Sequence, residues 1–275
     1  MILSNGYVYT KDFRFAPNSR ILVNGERITK VKENFTSCCN KGCGCATSGE
    51  VVDLKGLLAI PGLIDVHFHG SVGYDMMDGT EESLDAIAKY QAKSGITAIC
   101  PATMTMPEKD IVKACENVRD YKVKEDGADV VGIYMEGPFI SPKKVGAQNP
   151  EYVHKPDVDF FRRCNKASGN KIKIMAIAPE EEGALAAIKE LSGEVLPSIA
   201  HTVTAYDVAK KAIANGAKHL THLYNAMPGL AHRDPGPIAA AADAQWCEAE
   251  IICDGIHIHP SAVRAAFRMF GEDKM

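Results

Sequence analysis

Five side chains stand where a metal ion could use them. His67 and His69 follow the apolar run at 57–66. On a β-strand, residues i and i+2 point to one side, so two imidazoles at a strand end can share a cation. A His-x-His pair alone is equally a pair of satisfied core histidines. Glu136 follows the apolar run Val130-Val-Gly-Ile-Tyr-Met135, where a carboxylate is costly unless it is ion-paired or metal-bound. Gly137-Pro138 then fixes a turn and lets backbone come close to a ligand. His201 follows Leu196-Pro-Ser-Ile-Ala200 and His222 follows Lys218-His-Leu-Thr221. Four histidines and one glutamate at the ends of four separate runs imply one convergent site. Nitrogen and oxygen donors of this kind suit zinc or ferrous iron.

The elements that must position them change character along the chain. Residues 1–58 read as short strands and turns, with runs at 6–10, 20–23, 27–31 and 50–54, and Asn24-Gly25 marks a hairpin. This is expected to be the N-terminal part of a small β-sandwich-like domain. From 59 to 275 apolar runs alternate with helical stretches. The runs lie at 59–66, 96–102, 130–135, 172–178, 195–200, 218–222 and 249–253. Helices are expected near 81–94, 107–124, 181–191 and 204–215, with Thr80 and Thr204 as caps and Gly95 and Gly216 as stops. A further helical segment covers 261–270. Strand–helix repetition with apolar strands predicts an α/β fold with a parallel sheet, a TIM-like (β/α)8 barrel of which seven strands are counted. Active sites of barrels gather at the C-terminal ends of the strands, where these five residues fall.

Composition narrows the classes. The 275 residues are 46% hydrophobic and 24% charged, with a formal net charge of −4 and no basic block, so nucleic acid is not an expected partner. No run of about 18 apolar residues suggests a membrane span, and the first residues do not resemble a secretory signal, which makes the cytoplasm the default. Of nine cysteines, five are scattered in apolar segments and read as small buried residues of a reducing compartment. The other four, Cys38, Cys39, Cys43 and Cys45, form either a Gly-rich surface loop or a metal-binding one, although their spacing is not that of a zinc ribbon.

Pro61-Gly-Leu-Ile-Asp-Val-His-Phe-His-Gly70 resembles the entry motif of the amidohydrolase superfamily. Met135-Glu-Gly-Pro-Phe139, Thr221-His-Leu-Tyr-Asn-Ala-Met-Pro228 and Ile252-Cys-Asp-Gly-Ile-His257 narrow the resemblance to the N-acetylglucosamine-6-phosphate deacetylases within it. That resemblance implies hydrolysis of an acetamide on an amino-sugar phosphate by metal-activated water. It implies that Glu136, His201 and His222 hold the principal metal. His67 and His69 would form a second position, with Glu136 bridging, so that one or two ions bind. Ala147 would offer backbone to the sugar, Asn225, Ala226 and Arg233 would meet the phosphate region, and His257 the acetamide or sugar. A homodimer is implied as well.

Two departures bear on these expectations. The superfamily's catalytic aspartate closes strand eight, and no aspartate here matches it, so none of these residues is expected to transfer the proton; that aspartate is expected just beyond Met275. A seven-stranded chain is accordingly expected to bind metal with little turnover, to be poorly stable and to associate through its open edges. Two rivals remain open: an amidohydrolase acting on cyclic amides, which usually has a lysine where Glu136 stands, and a non-catalytic fragment that binds metal or sugar phosphate.

Overall fold

The computed structural model describes residues 1–12, 14–33 and 50–275. The Cys38–Cys45 loop lies outside the described residues. Two compact units divide the chain, Met1–Gly62 and Leu63–Met275.

The first unit is one five-stranded sheet. Strands β1 (Ile2–Tyr9) and β2 (Phe15–Asn24) are antiparallel, β3 (Arg27–Lys32) pairs with β2, and β4 (Val51–Asp53) and β5 (Leu58–Ala59) run parallel to β1. The hairpin expected at Asn24-Gly25 is present one residue later. Asn24 pairs with Arg27, so the turn residues are Gly25 and Glu26, and Gly25 takes the φ of 57° that such a turn needs.

The second unit alternates strands and helices. In order they are β6 (Leu63–Phe68), α1 (Glu81–Lys93), β7 (Ile96–Pro101), α2 (Glu108–Asp120), β8 (Asp129–Val130) with β9 (Ile133–Met135), α3 (Val158–Ala167), β10 (Ile172–Ile177), α4 (Ala184–Leu191), β11 (Leu196–Ile199), α5 (Tyr206–Ala214), β12 (His219–Leu220), α6 (Gly236–Asp243), β13 (Glu248–Ala249) and α7 (Pro260–Phe270). All pairings are parallel, β6-β7-β8 on one side and β9-β10-β11-β12-β13 on the other, and the Ala102–Tyr134 bridge joins them. Counting β8 and β9 as one interrupted strand, seven strand positions follow the order of the seven apolar runs. This is the TIM-like barrel that the strand–helix alternation predicts.

The central strands β9 and β10 are largely apolar on both faces because both are buried. In β10, Ile174 and Ala176 join Tyr134, Ala102 and Ala200 inside the barrel, while Met175 and Ile177 pack under the helices. Burying each isoleucine or methionine there stabilises the fold by roughly 1.5–3 kcal/mol. Helix α1 shows the matching pattern: Leu84, Ile87, Ala88 and Gln91 are buried, and Thr80 caps it by accepting from the Ser83 backbone N–H at 3.2 Å. Thr204 does not cap α5. That helix starts one residue later from Ala205, and the Thr204 hydroxyl donates instead to the Ala205 carbonyl. Strands β6 and β13 each have one neighbour among the described residues, and on β6 the side chains of Leu63, Ile64 and Val66 are 51%, 62% and 38% exposed. No helix among the described residues is long and apolar enough to cross a membrane.

Candidate metal centre

The barrel brings the strand-end residues together at one end. His67 lies on β6 and His69 just after it, Glu136 follows β9, His201 follows β11, and His222 follows β12. His201 and His222 hold φ values of 42° and 29°, a left-handed conformation that non-glycine residues adopt at a cost of about 1–3 kcal/mol. Both strands therefore turn sharply at the histidine and present its ring to the barrel mouth. Gly137 (φ 75°) fits because a Cβ there would fall 2.0 Å from Thr105 Oγ1, and Gly146 (φ 58°) because one would sit 3.2 Å from the His201 ring.

Glu136 is the hub. Its Oε1 lies 3.1 Å from His201 Nε2, 3.1 Å from His222 Nε2 and 3.4 Å from His67 Nε2. Its Oε2 lies 2.8 Å from His69 Nε2 and accepts from Gln148 Nε2 at 2.6 Å. Gln148 is fixed in turn by accepting from the Thr105 backbone N–H at 2.6 Å.

The far sides of the rings decide what these atoms can do. His201 Nδ1 faces the Lys144 carbonyl at 2.9 Å and His222 Nδ1 faces the Asn225 carbonyl at 3.1 Å. A carbonyl only accepts, so each Nδ1 carries the proton and each neutral ring turns a lone pair inward through Nε2. His201 Nε2 and His222 Nε2 are 3.1 Å apart. Nε2 of His67 is enclosed and has no hydrogen-bond partner. Lone pairs converging on one carboxylate require a cation among them. Two ligand groups meet the geometry for one, His67–His69–Glu136 and Glu136–His201–His222. Neighbouring ligands on a tetrahedral zinc lie about 3.3 Å apart, given bonds of roughly 2.0–2.1 Å, which agrees with these spacings.

Protons compete for the same positions. Burial raises the Glu136 carboxyl, but the His201, His222, His67 and His69 imidazoles packed around it hold it well below the usual range. Burial lowers the His67 imidazole, yet the Glu136 and Glu250 carboxylates on either side of it outweigh this and raise it from 6.5 to about 10. A raised pKa means that the folded, metal-free chain binds this proton more tightly than the unfolded one. The stabilisation is complete below about 6.5 and is lost as the pH rises through about 10. The melting temperature of chelator-treated protein is thus expected to fall across that window, and the slope should shrink in His67→Gln and in zinc-loaded protein, where the ion replaces the proton. Identical slopes in all three samples would rule this out.

Around the cluster a cavity of about 750 Å³ is lined by Ala147, Asn225, Ala226 and His257 together with the ligands. His257 Nδ1 sits 2.6 Å from Asp254 Oδ2, which orients the ring. The His257 and Ile256 backbone N–H groups also donate to Asp254, and the His257 backbone and ring bonds do most to pull its carboxyl down to about 2. Arg233 is exposed in the 228–235 segment and is not among the residues lining the cavity.

Two lining residues were not anticipated from the sequence. Gln148 holds Glu136 as described. Glu250, the first residue past β13, accepts from His67 Nδ1 at 2.5 Å and from the His222 backbone N–H at 2.9 Å. Burial raises its carboxyl, and the His67 hydrogen bond reverses this and lowers it.

The chain is similar to several known proteins. N-acetylglucosamine-6-phosphate deacetylase of Bacillus subtilis (strain 168) is 38% identical over 221 residues, 78% of this chain and 56% of that protein. The enzyme of the same name from Vibrio furnissii is 36% identical over 248 residues, 90% of this chain and 62% of that protein. The chain thus spans about three fifths of the length of these curated relatives. A mutant of the Mycobacterium smegmatis N-acetyl-D-glucosamine-6-phosphate deacetylase, solved in complex with N-acetyl-D-glucosamine-6-phosphate, superposes with a TM-score of 0.87 at 26% identity, covering 100% of this chain and 68% of that one. The description of the amidohydrolase family matches residues 58–271, a stretch that holds all five metal-fitting side chains, and the chain belongs to that family.

Proposed function

We propose that this chain carries the metal- and substrate-binding part of a deacetylase that hydrolyses N-acetylglucosamine 6-phosphate to glucosamine 6-phosphate and acetate. The observation that carries the reading is the convergence of four imidazole Nε2 atoms on the Glu136 carboxylate at the cavity floor. The namesake relatives supply the substrate class. A lysine-centred site for cyclic amides is disfavoured, because the central position is Glu136.

Glu136, His201 and His222 would hold the principal ion and His67 and His69 the second, with zinc or iron as the fitting metals. A divalent ion there supplies Lewis acidity and lowers the pKa of water from about 16 to about 7. The chain's residues do the positioning. His257, oriented by Asp254, presents Nε2 to polarise the acetamide carbonyl. Ala147 offers its backbone to the sugar. Asn225, Ala226 and Arg233 receive the phosphate region. Asp65, Glu136 and Glu250 each face a histidine or its backbone, so proton transfer is assigned to none of them. The functional assembly is proposed as a homodimer.

The test is direct. The full-length protein, loaded with zinc or iron, should release acetate and glucosamine 6-phosphate in equal amounts. Absence of both products in metal-loaded, folded protein would overturn the assignment.

A further inference from the structure

Glu250 lies outside both ligand groups, yet it touches each. One oxygen, Oε1, receives the His67 Nδ1 proton at 2.5 Å and the His222 backbone N–H at 2.9 Å. The other, Oε2, is enclosed and makes no hydrogen bond. A carboxylate kept only for stability would satisfy both oxygens, since a buried oxygen without a donor is costly. What the placement does accomplish is at His67. With Nδ1–H committed to Glu250, the neutral His67 ring can expose only Nε2 toward Glu136, where it has no other partner. Below the ring, Tyr134 stacks on His67 with centroids 4.0 Å apart and planes 16° from parallel, so rotation about χ2 is blocked. His201 and His222 obtain the same tautomer from backbone carbonyls, which mutation cannot remove. Of the four histidines around Glu136, only His67 has its Nδ1 on a side chain among the described residues.

We infer that Glu250 is the positioning residue of the second metal position: it fixes the tautomer and ring orientation of His67, and through the His222 backbone ties that position to the first. This rests on the metal reading proposed above.

The experiment titrates chelator-treated protein with Zn²⁺ by calorimetry and follows imidazole ¹H–¹⁵N resonances of the loaded protein. Wild type should take up two equivalents. Glu250→Ala should weaken the second roughly 10–100-fold, the usual effect of losing a carboxylate behind a ligating histidine, and leave the first within a few-fold. Glu250→Gln keeps an oxygen that accepts from both donors, so it should restore the second equivalent. The His67 Nδ1–H resonance should be present in wild type and Glu250→Gln and absent in Glu250→Ala. Should Glu250→Ala fail to fold, the Glu250→Gln result still decides: loss of both equivalents, or of the Nδ1–H resonance, overturns the inference. So would equal weakening of both equivalents in Glu250→Ala, unchanged binding there, or uptake of one equivalent by wild type. None of these readouts depends on turnover. Protein that gives the expected titration but no deacetylation overturns the proposed substrate and leaves the role of Glu250 standing.

Discussion

Replacing His222 by alanine, or Glu136 by glutamine, should strip the protein of most of its divalent metal. Glu136 is within 3.4 Å of all four histidine Nε2 atoms, and it is a member of both ligand groups. Glu136→Gln removes the anion that compensates a divalent charge in a buried site, so both positions should fail together. His222→Ala removes one of three ligands from the first position only. Its loss should exceed the 10–100-fold expected for a residue behind a ligand. The variants also differ in metal-free stability. Glu136→Gln removes the buried carboxylate on which all four imidazoles converge, and removing one partner of a buried pair costs roughly 3–5 kcal/mol. His222→Ala removes a partner but leaves Glu136 with three others, so it should melt closer to wild type. Elemental analysis of protein purified under identical conditions, alongside a thermal melt, separates ligand loss from unfolding. Folded His222→Ala that retains wild-type metal content would sink the ligand assignment.

The sequence made the strand ends legible because two independent signals coincide there: a run of apolar residues, then a polar residue that such a run cannot bury alone. That rule found His67, Glu136, His201 and His222. It could have found Glu250. The seventh run was read as 249–253, whereas the strand is Glu248–Ala249 and Glu250 follows it directly, as His222 and Glu136 closely follow theirs. Two isoleucines after Glu250 extended the apparent run past its true end. Gln148 had no comparable signal, since its role depends on a loop folding back onto β9. Two helices also went unread. Helix α6, Gly-Pro-Ile-Ala-Ala-Ala-Ala-Asp, has almost no polar face and therefore no 3.6-residue alternation. Helix α3 buries Phe160, Phe161 and Cys164 but is only 10 residues long, between segments rich in Pro, Asp and Gly. Thr204 missed its cap because α5 begins from an extended Ala205, a boundary one residue away that propensity cannot resolve.

Cleavage of N-acetylglucosamine 6-phosphate by the full-length protein should exceed that of unphosphorylated N-acetylglucosamine by well over tenfold. The structural motive is Asn225. Asn225 lines the cavity, and its buried Nδ2 has no hydrogen-bond partner, which leaves a donor that a ligand oxygen could satisfy. Arg233, exposed on the segment that follows, would bring the charge and the forked donors that suit a phosphate. Each charge-assisted hydrogen bond lost should cost about 1.5–3 kcal/mol, or roughly ten- to a hundredfold in kcat/KM. Asn225 also serves the metal site, since its backbone carbonyl accepts from His222 Nδ1. Asn225→Ala keeps that carbonyl, so metal content should hold while the preference for the phosphorylated sugar falls. Arg233→Lys retains the charge without the fork and should lose part of the preference; Arg233→Ala should lose more. The loss should fall on the phosphorylated substrate alone, because the unphosphorylated sugar makes neither contact. Equal rates on the two sugars in wild type, or equal losses on both in Arg233→Ala, would refute a phosphate-binding role for these residues.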